Sequence, residues 1–123
     1  MSGHDADPAA GAGSGHAGSG QRVRRLQKAR GVVPNMFKTL AHTPALALAT
    51  AGYLKALLSD GALAGWYKEL IATRMSVLNG SEYAVSAHAL SARQKGASEE
   101  QIVAVKGDFE QGPFTQTEKL GLR

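Results

Sequence analysis

At 123 residues, with 43% hydrophobic side chains, the chain is sized for one hydrophobic core and not for two. It contains no cysteine, which excludes disulfides, thiolate metal sites and a cysteine nucleophile. The net charge of +4 is local: residues 1–30 hold Arg22, Arg24, Arg25, Lys28 and Arg30 against Asp5 and Asp7, whereas residues 31–123 hold nine basic and eight acidic side chains.

The first 20 residues, MSGHDADPAAGAGSGHAGSG, are Gly, Ala and Ser with almost nothing large to bury, and a disordered leader is expected. His4 and His16 lie too far apart in such a tail to form a metal site. The stretch RVRRLQKAR completes the leader to residue 30 and binds phosphate at most non-specifically. Without a base-reading motif no specific nucleic-acid partner is expected. No apolar run approaches the roughly 20 residues that span a bilayer, and the start lacks the apolar core of a secretion signal. No membrane association and a cytoplasmic location follow as expectations.

Residues 31–123 read as one helical domain. In PNMFKTLAH, Pro34 suits a first helical turn and Met36, Phe37 and Leu40 share a side. Thr43 before Pro44 is a cap followed by a first-turn proline, and Leu46, Ala49, Tyr53, Leu54 and Leu57 recur at helical intervals. SDGALAG breaks this helix. Trp66, Leu70, Met75 and Leu78 mark a third, burying Leu70, Ile71, Met75 and Leu78 and closed at Asn79-Gly80, a pair suited to a left-handed cap. A fourth runs from about Ser81 to Lys95 and stops at Gly96. Ser98 with Gln101 has capping-box spacing for a fifth, through Ile102, Val103 and Val105. DFEQGPF reads as a turn, and Thr115 caps a last helix. No period-2 segment competes, so the class is all-α.

Chemistry concentrates in LNGSEYAVSAHALSARQKG, residues 78–96. At ~100° per residue, positions 81, 84 and 88 fall near 0°, 300° and 340°, so Ser81, Ala84 and His88 share one stripe. The preceding helix brings Glu69 and Arg74. Glu69 lies eleven residues before Gly80 and His88 eight after it, so across an antiparallel pair the two stand at comparable heights, within reach of a direct or water-mediated contact. A Ser81–His88 nucleophile–base pair fails, because seven residues of helix rise by ~10.5 Å; Ser81 reads better as an N-cap and Ala84 as a close-packing surface. Each residue also has a plain structural reading: Glu69 as an exposed helix carboxylate, His88 as a hydrogen-bonded or a surface side chain, His42 as an exposed neighbour of a helix boundary, Trp66 and Tyr67 as core or subunit interface.

The stretch KELIATRMSVLNGSEYAVSAHALSARQKGASEEQI resembles the central signature of the alkylhydroperoxidase D and carboxymuconolactone decarboxylase superfamily. There a Glu is followed, after eleven residues, by Cys-Glu-Tyr-Cys-x-x-x-His, then a Gly and a Ser-led helix start. Glu69, Asn79-Gly80, Glu82, Tyr83, His88 and Gly96 fall at the matching spacing. VPNMFKTLAHTP and FTQTEKLGLR extend the likeness to the peroxidase-related branch, over about residues 32–123. The resemblance implies an oligomeric helical bundle, a trimer or hexamer, with a further C-terminal segment that this chain lacks.

It also implies a mechanism, in which Glu and His act through a water to deprotonate one cysteine, which attacks a peroxide and then pairs with the second. The two cysteine positions are Ser81 and Ala84 here. A serine hydroxyl is far less acidic than a thiol and has no comparable redox cycle, so the chain is expected to be inactive as a peroxidase, with no cofactor and no metal. Three readings stay open: a thiol-less peroxidase relative; a lactone decarboxylase-type enzyme in which His88 moves a proton and Glu69 orients it, acting on a small molecule; and a non-catalytic oligomeric module.

Overall fold

The computed structural model describes residues 35–123; the expectations for the leader, with His4 and His16, lie outside them. Every regular element among the described residues is helical: α1 (Asn35–Leu40), α2 (Pro44–Leu58), α3 (Gly65–Leu78), α4 (Glu82–Gln94), α5 (Glu99–Lys106), a 3-10 turn at Phe109–Gln111 and α6 (Gln116–Leu122). The chain falls into two compact units, one ending at Leu54 and the other running Lys55–Arg123.

In the first unit, α1 buries Phe37, while its neighbour Met36 stays exposed; the expectation for Pro34 lies outside the described residues. The α2 helix opens at the predicted cap, where the Ala47 N–H donates to the Thr43 carbonyl at 3.1 Å. Its periodicity is as expected, but it has no buried residue, and Leu46 and Tyr53 are 51% and 65% exposed. Helical spacing specifies a stripe; it does not specify that the same chain covers it.

In the second unit, α3 and α4 form the most extensive helix pair. Their reversal is encoded by Asn79-Gly80-Ser81. Gly80 sits at φ +66°, its N–H donates to the Val77 carbonyl at 3.0 Å, and the Ser81 N–H reaches back to the Ser76 carbonyl at 2.9 Å. These two bonds with a left-handed residue between them make a Schellman motif, which satisfies the orphan carbonyls of α3 while turning the chain. The same device closes α4. Gly96 has φ +107°, its N–H donates to the Arg93 carbonyl, and the Ala97 N–H donates to the Ala92 carbonyl at 2.9 Å. Ala92 and Ala97 are both buried, the apolar contact that accompanies such a stop.

The core comprises Tyr67 and Leu70 from α3, Ala89 and Ala92 from α4, Ala97, then Ile102 and Val105 from α5, Phe109 and Leu122. The capping boxes at Ser98/Gln101 and Thr115/Glu118 are both formed, so the starts of α5 and α6 are set by local side chains. DFEQGPF is more than a turn: it contains the 3-10 segment and places Phe109 in the core. The short α6 is docked by Leu122, 1% exposed, and by Tyr67, whose hydroxyl donates to the Glu118 carbonyl at 2.6 Å. A Cβ at Gly121 would overlap that hydroxyl, which explains a glycine inside this helix despite its low propensity.

The expected burial on α3 needs correction. Leu70 is fully buried, but Met75 and Leu78 are 51% and 58% exposed, and Ile71 is half-buried. The face turned inward below Leu70 is polar: Glu69, Thr73 and Ser76, at i, i+4 and i+7, are all buried. Thr73 donates to the Glu69 carbonyl at 2.8 Å and Ser76 to the Ala72 carbonyl at 2.7 Å. These bonds within the helix satisfy both hydroxyls and lower the penalty for burying them.

Gly80→Ala should lower unfolding stability by about 1 kcal/mol, because the left-handed conformation is retained at a Cβ penalty; a shift of the urea midpoint at unchanged slope checks this.

Candidate active site

The antiparallel α3/α4 pair brings the early part of α3 against the end of α4, and there Glu69 meets two partners. Its side chain is 1% exposed. Oε2 lies 2.8 Å from His88 Nδ1, and Oε1 accepts a hydrogen bond from Lys95 Nζ at 2.6 Å. Lys95 is the C-cap residue of α4, and its ammonium also donates to the Leu58 carbonyl at 2.7 Å. Each carboxylate oxygen therefore has its own donor. A buried unpaired carboxylate is strongly disfavoured, whereas one with two charged or chargeable donors is tolerated.

Burial pushes the Glu69 carboxyl up, but hydrogen bonds from His88 and then Lys95, with the charges they carry, outweigh it and hold the group below the ordinary carboxylate range. Glu69 is thus ionised and can only accept at Oε2. The proton in the His88–Glu69 bond then belongs to Nδ1. In neutral His88 that leaves the Nε2 lone pair free, on a side chain 34% exposed. A carboxylate-oriented imidazole with one open nitrogen is a proton acceptor and, once charged, a proton donor.

Of the four residues singled out in sequence, the structure joins Glu69 and His88 directly, without a water between them. The reading of Glu69 as an exposed carboxylate is wrong, because α4 covers it. Ser81 and Ala84 are half-buried on the same helical stripe; among the described residues no hydrogen bond joins the Ser81 hydroxyl to His88 or Glu69. Ser81 does stand at the N-cap of α4, but its side chain makes no capping bond. With ψ of 89° the residue is committed to the Schellman turn of α3.

Arg74 serves elsewhere: its guanidinium lies 5.0 Å from the centre of the Phe109 ring and reaches the Gly107 carbonyl at 3.4 Å. His42 is exposed. Tyr67 belongs to the core and Trp66 packs against it edge-on at 5.8 Å. Lys95 was missed in sequence, although the signal was present: seven residues after His88, it continues the stripe of positions 81, 84 and 88 at about 320°.

Among the described residues no group of three His, Cys, Asp or Glu side chains is placed to hold a metal ion. An open groove of about 470 Å³ lies between α5 and the turn that follows it, lined by Glu99, Val103, Asp108 and Pro113 among others. It contains none of Glu69, His88 and Lys95, so its volume says nothing of what reaches His88.

The profile of the carboxymuconolactone decarboxylase family matches residues 44–107. One similar solved structure is described as the alkylhydroperoxidase AhpD core, an uncharacterized peroxidase-related protein from Ralstonia eutropha JMP134; it is 30% identical over 80% of this chain and 53% of its own, with a TM-score of 0.69. Another, an uncharacterized peroxidase-related protein from Silicibacter sp. TM1040, is 23% identical over 89% of this chain and 58% of its own, with a TM-score of 0.74, a likeness of fold. The chain spans a little over half the length of each. No curated protein matches it.

The Glu69 carboxyl titrates lower in the folded chain than unfolded, so its contribution to stability is present above the ordinary glutamate value of about 4.3 and is lost as pH falls through the depressed native value. Urea denaturation at a series of acid pH values should show that Glu69→Gln lacks this part of the acid destabilisation.

Proposed function

The chain belongs to the carboxymuconolactone decarboxylase family, and from that premise we propose that it carries out proton transfer on a small molecule rather than thiol-dependent peroxide reduction. One observation carries the reading: the His88–Glu69 pair is hydrogen-bonded at 2.8 Å over a buried carboxylate, while Ser81 and Ala84 occupy the positions at which the thiol chemistry of the resembled pattern needs sulfur. Two electrons passed to a peroxide require a group that can be oxidised and regenerated, and neither a serine hydroxyl nor a methyl side chain is one. Proton chemistry needs only His88.

In this reading His88 is the acid–base residue and Glu69 orients it. For an unsaturated lactone acid, the C–C bond to the carboxylate breaks, carbon dioxide leaves and the electron pair passes into the adjoining unsaturated lactone. Protonated His88 Nε2 delivers its proton to the carbon that carries the pair, and solvent returns a proton to the imidazole. Positioned general acids contribute about 10²–10⁴-fold. His88→Gln should lower decarboxylation of such an acid by at least about 10² in kcat, measured by carbon dioxide release.

A second reading, that the chain is a peroxidase relative disabled at its sulfurs, is favoured by the likeness to the peroxidase-related Ralstonia protein. Restoration separates the two. Ser81→Cys with Ala84→Cys should gain dithiol-dependent hydroperoxide reduction in the second reading and remain at the buffer blank in the first. In both readings the native chain stays at the blank, and turnover by it contradicts both.

The exposed apolar residues of α2 to α4, among them Leu46, Met75, Leu78 and Leu90, support assembly of several copies. Light scattering should give a multiple of the single-chain mass; a uniform single-chain mass contradicts assembly.

A further inference from the structure

We propose that Lys95 is a positioning residue for this proton-transfer site: by occupying Glu69 Oε1 it fixes the carboxylate so that Oε2 remains the acceptor of the His88 Nδ1–H. The proposal rests on the reading of His88 as the acid–base group.

A carboxylate rotates about its last bond, and its two oxygens are equivalent until something distinguishes them. Here they are distinguished, with Lys95 Nζ at 2.6 Å on one and His88 Nδ1 at 2.8 Å on the other. Rotation of the group would break both bonds together. Fixing the carboxylate fixes the imidazole, and with it the direction and tautomer of the open Nε2, the role that supporting residues play behind a functional histidine.

Lys95 is itself held from three sides. The Schellman turn at Gly96 sets its backbone, with its N–H donating to the Ser91 and Ala92 carbonyls. Gly65 keeps clear the Leu58 carbonyl that the ammonium binds: a Cβ there would lie 2.9 Å from that oxygen and in ordinary contact, at 3.4 Å, with Lys95 Cδ. The ammonium then divides its hydrogen bonds between the Leu58 carbonyl and Glu69. An end cap for α2 does not by itself account for Lys95, because Lys68 already donates to the Leu57 and Ser59 carbonyls at 2.9 and 2.7 Å.

The charged groups facing Glu69 are His88 and Lys95. The buried residues that α5 and α6 bring to the same core, Ile102, Val105 and Leu122, are apolar. Among the described residues, Lys95 and His88 are the groups whose charge acts on Glu69.

The test is NMR on the whole chain, following the Glu69 side-chain carbonyl carbon against pH and the His88 ring nitrogens at neutral pH. In Lys95→Met the Glu69 titration should move to higher pH, and neutral His88 should lose its preference for the Nδ1–H tautomer. Lys68→Met, which removes the other lysine at the end of α2, should leave both readouts as they are in the native chain. An unchanged His88 tautomer in Lys95→Met overturns the proposal, as does an equal response to Lys68→Met. If Lys95→Met does not fold, the native chain still decides: a coupling across the hydrogen bond between Lys95 Nζ and the Glu69 carboxyl carbon supports the proposal, and its absence overturns it. None of these readouts needs a substrate, so failure of the positioning role is told apart from failure of the proposed reaction.

Discussion

A single buried carboxylate organises the second unit of this protein. Glu69 sits inside the α3/α4 pair, where a lone negative charge is strongly disfavoured, and is tolerated because His88 and Lys95 each take one of its oxygens. The constraint works in both directions. The antiparallel pair has to be in register for the donors to reach the carboxylate, and the two bonds in turn fix that register. Thr73 and Ser76 continue the polar face without needing partners from another helix, because each bonds within its own turn. The apolar residues Met75 and Leu78 are left outside.

Two glycines make this geometry possible. Gly80 reverses the chain, so that α4 runs back along α3 towards Glu69. Gly96 ends α4 at Lys95, whose backbone is held while its side chain reaches across to the carboxylate. Ser98 and Thr115 then begin α5 and α6 with their own capping boxes. These signals are local in sequence: the glycines act through the backbone bonds of their turns and the caps through side-chain bonds to nearby backbone N–H groups. They set where helices stop and start; the buried charge sets how two of them face each other.

That division explains what could be read in advance. The helices, the Asn79-Gly80 reversal and the Ser98 and Thr115 caps were legible because each is written in adjacent residues. The Glu69–His88 contact was legible from helical rise across a short turn. Burial on α3 was misread because apolar spacing favours Met75 and Leu78 as core, and the polar triplet Glu69, Thr73 and Ser76 carries no apolar signal although it occupies the inward face. Similarly, α2 was recognised as a helix from its stripe, yet none of that stripe is buried. Lys95 was overlooked because a lysine beside a terminating glycine reads as a solvated end residue. Only the partner across the pair shows otherwise.

The proposed proton transfer rests on an ionised acceptor at Glu69, a proton on His88 Nδ1 and an open Nε2. Neutron diffraction from crystals exchanged into heavy water at neutral pH locates those hydrogens directly. The account predicts deuterium on His88 Nδ1 between the ring and Glu69 Oε2, and none on either carboxylate oxygen. Deuterium bonded to Glu69, or a neutral His88 carrying it only on Nε2, would contradict the account.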